Sequence, residues 1–330
     1  MDLKRYISPA LALLLLSPAV GEMLSGSSPP LKFFNPTGFF FLLCLYGGGA
    51  IIIRELALCW NKGWLSILVM GAAYGIVEEG LMVKSFFNPD WVGPGILGSY
   101  GRWLGVNWVW AAELVVFHAV FSITIPILLV ALAYPEKRSV PWVGRRIFFT
   151  LCALLVFTVV FGYFFLSPYA VPPGLYAAAL ACVVILVAIA RWLPGTLFTV
   201  KDVKSRKPRW FFLLGLAWGT IFFIIAWAIP AIGVPPIVTV ALFVLSVVAL
   251  SFALIRMSGN GGGWSGRHQL ALVSGVLGFL IALSPILELN GMAGMTVVGI
   301  LFAALLAWLY IALGRREKAN LALIPSASEV

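Results

Sequence analysis

Glu78 and Glu79 adjoin in GIVEEGLMVK, and His118 follows in the next apolar run, ELVVFHAVFS. A carboxylate pair near an imidazole is a working set for general acid–base chemistry: one group takes a proton from water while another orients that water or steadies an oxyanion. The same groups relay protons or bind cations where no bond is broken. Tyr74 stands one helical turn before Glu78 and Ser122 one turn after His118, while Glu22, Asn107 and Glu113 lie on flanking apolar runs. Lys84, Asp90 and Arg102 punctuate the connection between the two central runs. We take Glu78, Glu79 and His118 as candidate catalytic groups. Glu22, Tyr74, Lys84, Asp90, Arg102, Asn107, Glu113 and Ser122 are candidate substrate-binding or supporting groups.

No HExxH, no glycine loop ending in GK[ST] and no Cys/His cluster occurs, so the sequence names neither a metal nor a cofactor. Cys44, Cys59, Cys152 and Cys182 lie in or beside apolar runs without CxxC spacing and read as small core hydrophobes.

The elements that must position these groups are membrane helices. Hydrophobic side chains make up 62% of the 330 residues and charged ones 10%, with a mean hydropathy of +1.05. A soluble domain carries roughly 25% charged residues, which excludes a water-soluble enzyme of this length. Crossing ~30 Å of hydrocarbon takes about 20 mostly apolar residues. Ten segments qualify: 6–24, 37–58, 63–83, 107–133, 147–167, 172–192, 210–229, 235–256, 269–288 and 293–314, separated by turn-rich stretches such as SGSSPP and NPDWVGPG. The expected fold is an all-α polytopic bundle. The first segment is short, carries Pro9 and Pro18, and also reads as a signal peptide, whose removal leaves nine spans.

With the N-terminus in the cytoplasm, 19 of the 22 Lys and Arg residues fall inside and only Lys32, Lys84 and Arg102 outside. That asymmetry places both termini in the cytoplasm and accounts for the net charge of +10 without nucleic acid. The twelve acids split evenly, but the outer six (Glu22, Glu78, Glu79, Asp90, Glu113, Glu288) meet only three basic residues. A carboxylate inside a span costs ~2.5–3.5 kcal/mol by insertion scales unless it faces a cavity, a partner or a ligand. Residues 1–133 are therefore expected to carry the polar site, 134–314 to serve as membrane scaffold and 315–330 to form a cytoplasmic tail.

Along its span, the glutamate pair lies about 23 Å up from an inner start near Gly63, and His118 lies roughly 16 Å below the outer surface. Asn107 and His118 share one helix face, and Glu113 points elsewhere. Adjacent glutamates diverge by ~100° on an α-helix, so both face protein only where that side is broadly enclosed. Gly71, Gly75 and Gly80 let a neighbouring helix approach. The aromatic loop KSFFNPDWVGPGILGSYGRWLGV is expected to be a belt at the membrane surface or to fold back as a lid. Arg54 and Glu55 read as a snorkelling pair.

GIVEEGLMVK followed by FHAVFS resembles the glutamate intramembrane proteases, the group holding the CAAX- and bacteriocin-processing enzymes and the PrsW type, over about residues 75–122. Their signature is a Glu-Glu pair with a basic residue shortly after, then helices bearing His with a polar residue four further on. Glu78-Glu79, Lys84, and His118 with Ser122 fill those places, and Glu113 stands in for a middle element not otherwise recognisable. The resemblance implies that Glu78 or Glu79 is a general base on water and that His118 stabilises the oxyanion or holds the water. The outward location is nearer the PrsW type.

The expectation is a multi-pass protein of the cell (plasma) membrane, in contact with lipid, that hydrolyses a membrane-protein or lipid-linked substrate. A proton- or cation-coupled transporter, a transferase using a lipid-linked donor, and a non-catalytic assembly factor are the alternatives. The orientation is directly testable. A green fluorescent protein fusion after Arg209 should fluoresce and an alkaline phosphatase fusion there should be inactive; after Asp90 the pattern should reverse, and the opposite pairing would overturn the charge argument.

Overall fold

The computed structural model describes residues 7–91, 95–195, 205–259 and 264–322. Among these, nine helices are long and apolar enough to cross a membrane: α2 Pro36–Cys59, α3 Trp64–Met82, α4 Trp108–Ala133, α5 Arg145–Phe165, α6 Pro173–Trp192, α7 Pro208–Ala231, α8 Pro236–Met257, α9 Gly266–Leu289 and α10 Met295–Glu317. A shorter apolar helix, α1 Pro9–Leu24, precedes them. All ten coincide with segments expected from hydropathy, and the chain is a polytopic helical membrane protein. Proline opens α1, α2, α6, α7 and α8, where its missing N–H removes no helical bond. Asn35 and Asn107 cap α2 and α4 through their side-chain oxygens.

Burial decides which helix is central. Of the apolar window of α4, 78% lies inside the protein, against 61% for α3 and 56% for α2, but only 11% for α6 and α8. Helix α4 therefore runs through the middle. On one side it packs with α1, α2 and α3 through Leu13, Tyr46, Ile51, Tyr74 and Ile123. On the other it meets α7, α9 and α10 through Phe117, Phe121, Phe222, Leu277 and Phe302. The outward faces of α5, α6 and α8 expose Phe157, Val184 and Phe252, as a lipid-facing ring does.

The α3–α4 connection folds down onto the bundle end. Phe86 and Phe87 are buried with Leu81 and Val171. Strands β1 Arg102–Trp103 and β2 Val106–Asn107 pair antiparallel, Arg102 opposite Asn107. Leu104 and Gly105 both have positive φ, 50° and 77°, the backbone of a two-residue type I′ hairpin.

Four neighbouring helices abandon α-geometry around His118. Wider π-helical turns occupy Ala19–Leu24 of α1, Leu43–Gly47 of α2, Val77–Met82 of α3 and His118–Thr124 of α4. Proline is part of the reason. Pro126 has no N–H for the carbonyl of Ser122, which instead accepts from Ser17 Oγ at 2.7 Å; the same hydroxyl lies 3.0 Å from the Tyr46 carbonyl. One serine of α1 thus ties α2 to α4.

The close α3–α4 approach rests on glycine. A Cβ on Gly75 would stand 3.1 Å from Cβ of His118, whereas one on Gly174 of α6 meets nothing within 4 Å. Gly75→Leu should therefore lower stability by about 1–3 kcal/mol or more, and Gly174→Leu by no more than about 0.5 kcal/mol, read from thermal unfolding in detergent. Equal effects would contradict this packing.

Candidate functional site

The four π-helical turns deliver four groups of polar side chains to one place. His118, 2% exposed, is the centre. Its Nδ1 lies 3.0 Å from Ser122 Oγ and 3.5 Å from Glu78 Oε2. Its Nε2 lies 3.4 Å from Glu79 Oε1. The neighbouring glutamates thus address opposite nitrogens of one ring. A π-helical turn takes more residues than the 3.6 of an α-turn, so successive side chains diverge by less than ~100°, and both glutamates reach the same partner.

Three hydroxyls absent from the sequence reading complete the shell. Tyr46 OH donates to Glu22 Oε1 at 2.6 Å, and Ser28 Oγ donates to Glu22 Oε2 at 2.7 Å. The Tyr46 ring centroid is 5.9 Å from that of His118, and the Tyr74 centroid is 5.8 Å away. Glu22 therefore borders the site through Tyr46. Ser85, at the start of the α3–α4 connection, donates to Glu79 Oε2 and accepts from Trp110 Nε1 at 3.1 Å. The signal for Tyr46 was available: a buried membrane tyrosine needs a partner for its hydroxyl. Ser85 carried no such signal, because the fold-down of the connection places it.

Three buried atoms of this region have no hydrogen-bond partner: Glu78 Oε2, Tyr74 OH and Glu113 Oε2. An unpaired buried polar atom costs ~1–3 kcal/mol, so orphans beside a histidine mark a place for water, substrate or an ion. Glu78, Glu79 and His118 also each offer a ligand atom within 4.8 Å of one another, a set of the kind that holds a divalent cation. Access differs among the three. The Glu79 side chain is 14% exposed, against 6% for Glu78 and 2% for His118, so Glu79 stands at the rim.

Several expected members lie elsewhere, each for a local reason. Lys84 turns away: its backbone is left-handed at φ 62°, and its Nζ donates to the carbonyls of Tyr163 and Ser167, both at 2.7 Å, 4.3 Å from the Tyr163 ring. Burial pushes its pKa below the ordinary lysine value. Arg102 donates to the carbonyls of Phe87 and Asn88 at 2.9 and 3.1 Å, bracing the connection. Asn107, placed by helix periodicity on the His118 face, is captured by the α4 terminus: Oδ1 accepts from Trp110 N at 3.1 Å and Nδ2 donates to Leu97 O at 2.5 Å. Asp90 is exposed. Glu113 is buried at 6%, and Glu79 is its charged neighbour. Nor does Arg54 snorkel. It is 5% exposed and paired with Glu55 Oε1 at 2.7 Å at the far end of α2.

The sequence matches the profile of an uncharacterized membrane protein family over residues 11–321. The chain belongs to this family. No curated protein and no solved structure matches it.

The geometry separates Lys84 from the triad. Lys84→Met should lower stability by about 1–3 kcal/mol by leaving two carbonyls unpaired, without changing affinity for a ligand of the Glu78–Glu79–His118 group. A change in that affinity with stability intact would return Lys84 to the site.

Proposed function

We propose that this protein is a membrane-embedded hydrolase, a protease in its most specific form, that activates water with a buried glutamate. The observation that carries the reading is the unpaired Glu78 Oε2 beside His118, held there while both oxygens of Glu79 are engaged by His118 and Ser85. The division of labour follows from those contacts. Glu78 has a free lone pair and is the base. Glu79 fixes the ring of His118.

A water against Glu78 Oε2 gives its proton to the carboxylate as its oxygen bonds to a substrate carbonyl carbon. The carbonyl π electrons move onto oxygen, and the developing charge is met by the hydroxyl of Tyr74, one helical turn before Glu78 and with its ring 5.8 Å from that of His118. Collapse of the tetrahedral intermediate expels the leaving amine, which takes the proton back from Glu78. Burial strengthens these interactions, since the local dielectric is far below that of water. On the charge distribution the site opens to the extracytoplasmic side of the cell membrane, and a membrane protein or a lipid-linked molecule fits a site at this depth. The resemblance to the glutamate intramembrane proteases supports the same assignment of Glu78, Glu79 and His118.

One observation favours a second reading. The clustered ligand atoms of the triad suit a bound divalent cation, which would lower the pKa of a coordinated water or bind as transported cargo.

The test compares new N-termini in the membrane and secreted proteins of cells expressing the wild type, Glu78→Gln, Glu79→Gln, His118→Ala, or the exposed Asp90→Asn. Cleavages present with wild type and Asp90→Asn should vanish with the three site variants. Unchanged cleavage in all three, at equal protein levels, would overturn the proposal. Loss of wild-type cleavage on chelation, restored by a divalent metal, would select the metal-assisted form.

A further inference from the structure

At the end of α2 remote from Tyr46 lies a cavity of about 190 Å³. Three cations from separate segments line it: Arg54 of α2, Lys62 of the α2–α3 turn and Arg138 of the α4–α5 connection, with Trp64 and Trp142 beside them. Arg54 is already occupied. Its Nη1 pairs with Glu55 Oε1 at 2.7 Å, its Nη2 donates to the carbonyls of Arg138 and Val140 at 2.9 and 2.8 Å, and its Cζ lies 4.0 Å from the Trp142 ring centre. Glu55 Oε1 also accepts from Trp142 N at 2.9 Å, so this carboxylate is spent on Arg54 and on holding the connection.

Two positive charges remain. Lys62 Nζ uses one of its three donors on the Leu193 carbonyl at 2.8 Å. Arg138 lies with Cζ 5.6 Å from the Trp64 ring centre and, among the described residues, has no carboxylate or carbonyl partner for its guanidinium. A planar fork of unspent donors beside an ammonium, on the wall of a cavity with no acid among its lining residues, is the donor set for a phosphate group. Size narrows the ligand. Sites for whole drug-sized molecules run to ~300–1,000 Å³, so this cavity suits one anionic group rather than a nucleotide.

We propose that this cavity binds a phosphate group, with Arg138 and Lys62 as its donors and Arg54 as the buried cation behind them. Its place beside two tryptophans, at the end of the bundle where the basic loops gather, makes the phosphate of an anionic phospholipid the favoured source. The site is independent of the hydrolase reading: it shares no residue with the Glu78–Glu79–His118 group, and its test reads binding alone.

The full chain is placed in phosphatidylcholine nanodiscs and titrated with short-chain phosphatidylglycerol or with inorganic phosphate, and affinity is read by native mass spectrometry and thermal shift. Wild type should bind phosphatidylglycerol, about five-fold more weakly after Arg138→Gln and about five-fold more weakly again after Lys62→Gln is added. Arg209→Gln, a basic residue outside the cavity, should bind as wild type does. Equal binding of inorganic phosphate would support the site and assign it to soluble phosphate. The proposal fails if neither probe binds, if the double variant binds as tightly as wild type, or if Arg209→Gln loses as much as Arg138→Gln. Arg54 is left intact because its loss would release the α4–α5 connection.

Discussion

Two carboxylates side by side in the interior of a membrane bundle set the terms for everything around them. An ionised carboxylate there must be paired or bound, and among the described residues the basic side chain that reaches Glu78 and Glu79 is His118 alone. One imidazole carries at most one positive charge, so the group is short of one proton or cation when both acids are ionised. In the neutral ring with its proton on Nε2, the tautomer that the Glu79 carboxylate favours, Nε2–H donates to Glu79 and Nδ1 accepts from the Ser122 hydroxyl, which leaves Glu78 Oε2 facing a nitrogen that has no hydrogen to offer it. That shortage is the chemical content of the site. Around it, the hydroxyls of Tyr46 and Ser28 donate to Glu22 and that of Ser85 to Glu79.

The scaffold bends to hold this arrangement. Glu22, Tyr46, the glutamate pair and His118 each sit on a π-helical turn. Such turns give up regular i→i−4 bonding and are frequent at functional sites. Four on adjacent helices, meeting at one histidine, are hard to attribute to packing alone. Among the described residues a fifth, Ile224–Ala228 of α7, carries only apolar side chains and contributes nothing polar to the site. Gly75 and Ser17 bring the four helices close enough for the turns to face one another. The opposite end of the same helices gathers the contrasting charge: Arg54 and Glu55 are buried and paired there, with Lys62 and Arg138 beside them.

The sequence made the ten helices legible because hydrocarbon thickness and apolar run length leave few alternatives. It also made Glu78, Glu79 and His118 stand out, since ionisable residues inside spans are rare enough to need a reason. What it hid depends on departures from ideal helices. Periodicity at 100° per residue placed Asn107 over His118, but the backbone amides at the start of α4 hold that side chain. The same periodicity set Glu78 and Glu79 on diverging faces, and the π-helical turn brings them to one ring. Lys84 matched a basic position by spacing alone, and a single left-handed residue sends it to α5. Ser85 could be assigned only once the connection was in place.

The account stands or falls on what occupies the space beside Glu78. A cryo-electron microscopy map of the protein in nanodiscs, at a resolution that shows ordered water, would decide it. Density for a water or an ion within hydrogen-bonding or coordination distance of both Glu78 Oε2 and His118 is the predicted result. A dry site in which Glu78 is bonded only to protein groups, with no solvent path past Glu79, would contradict it.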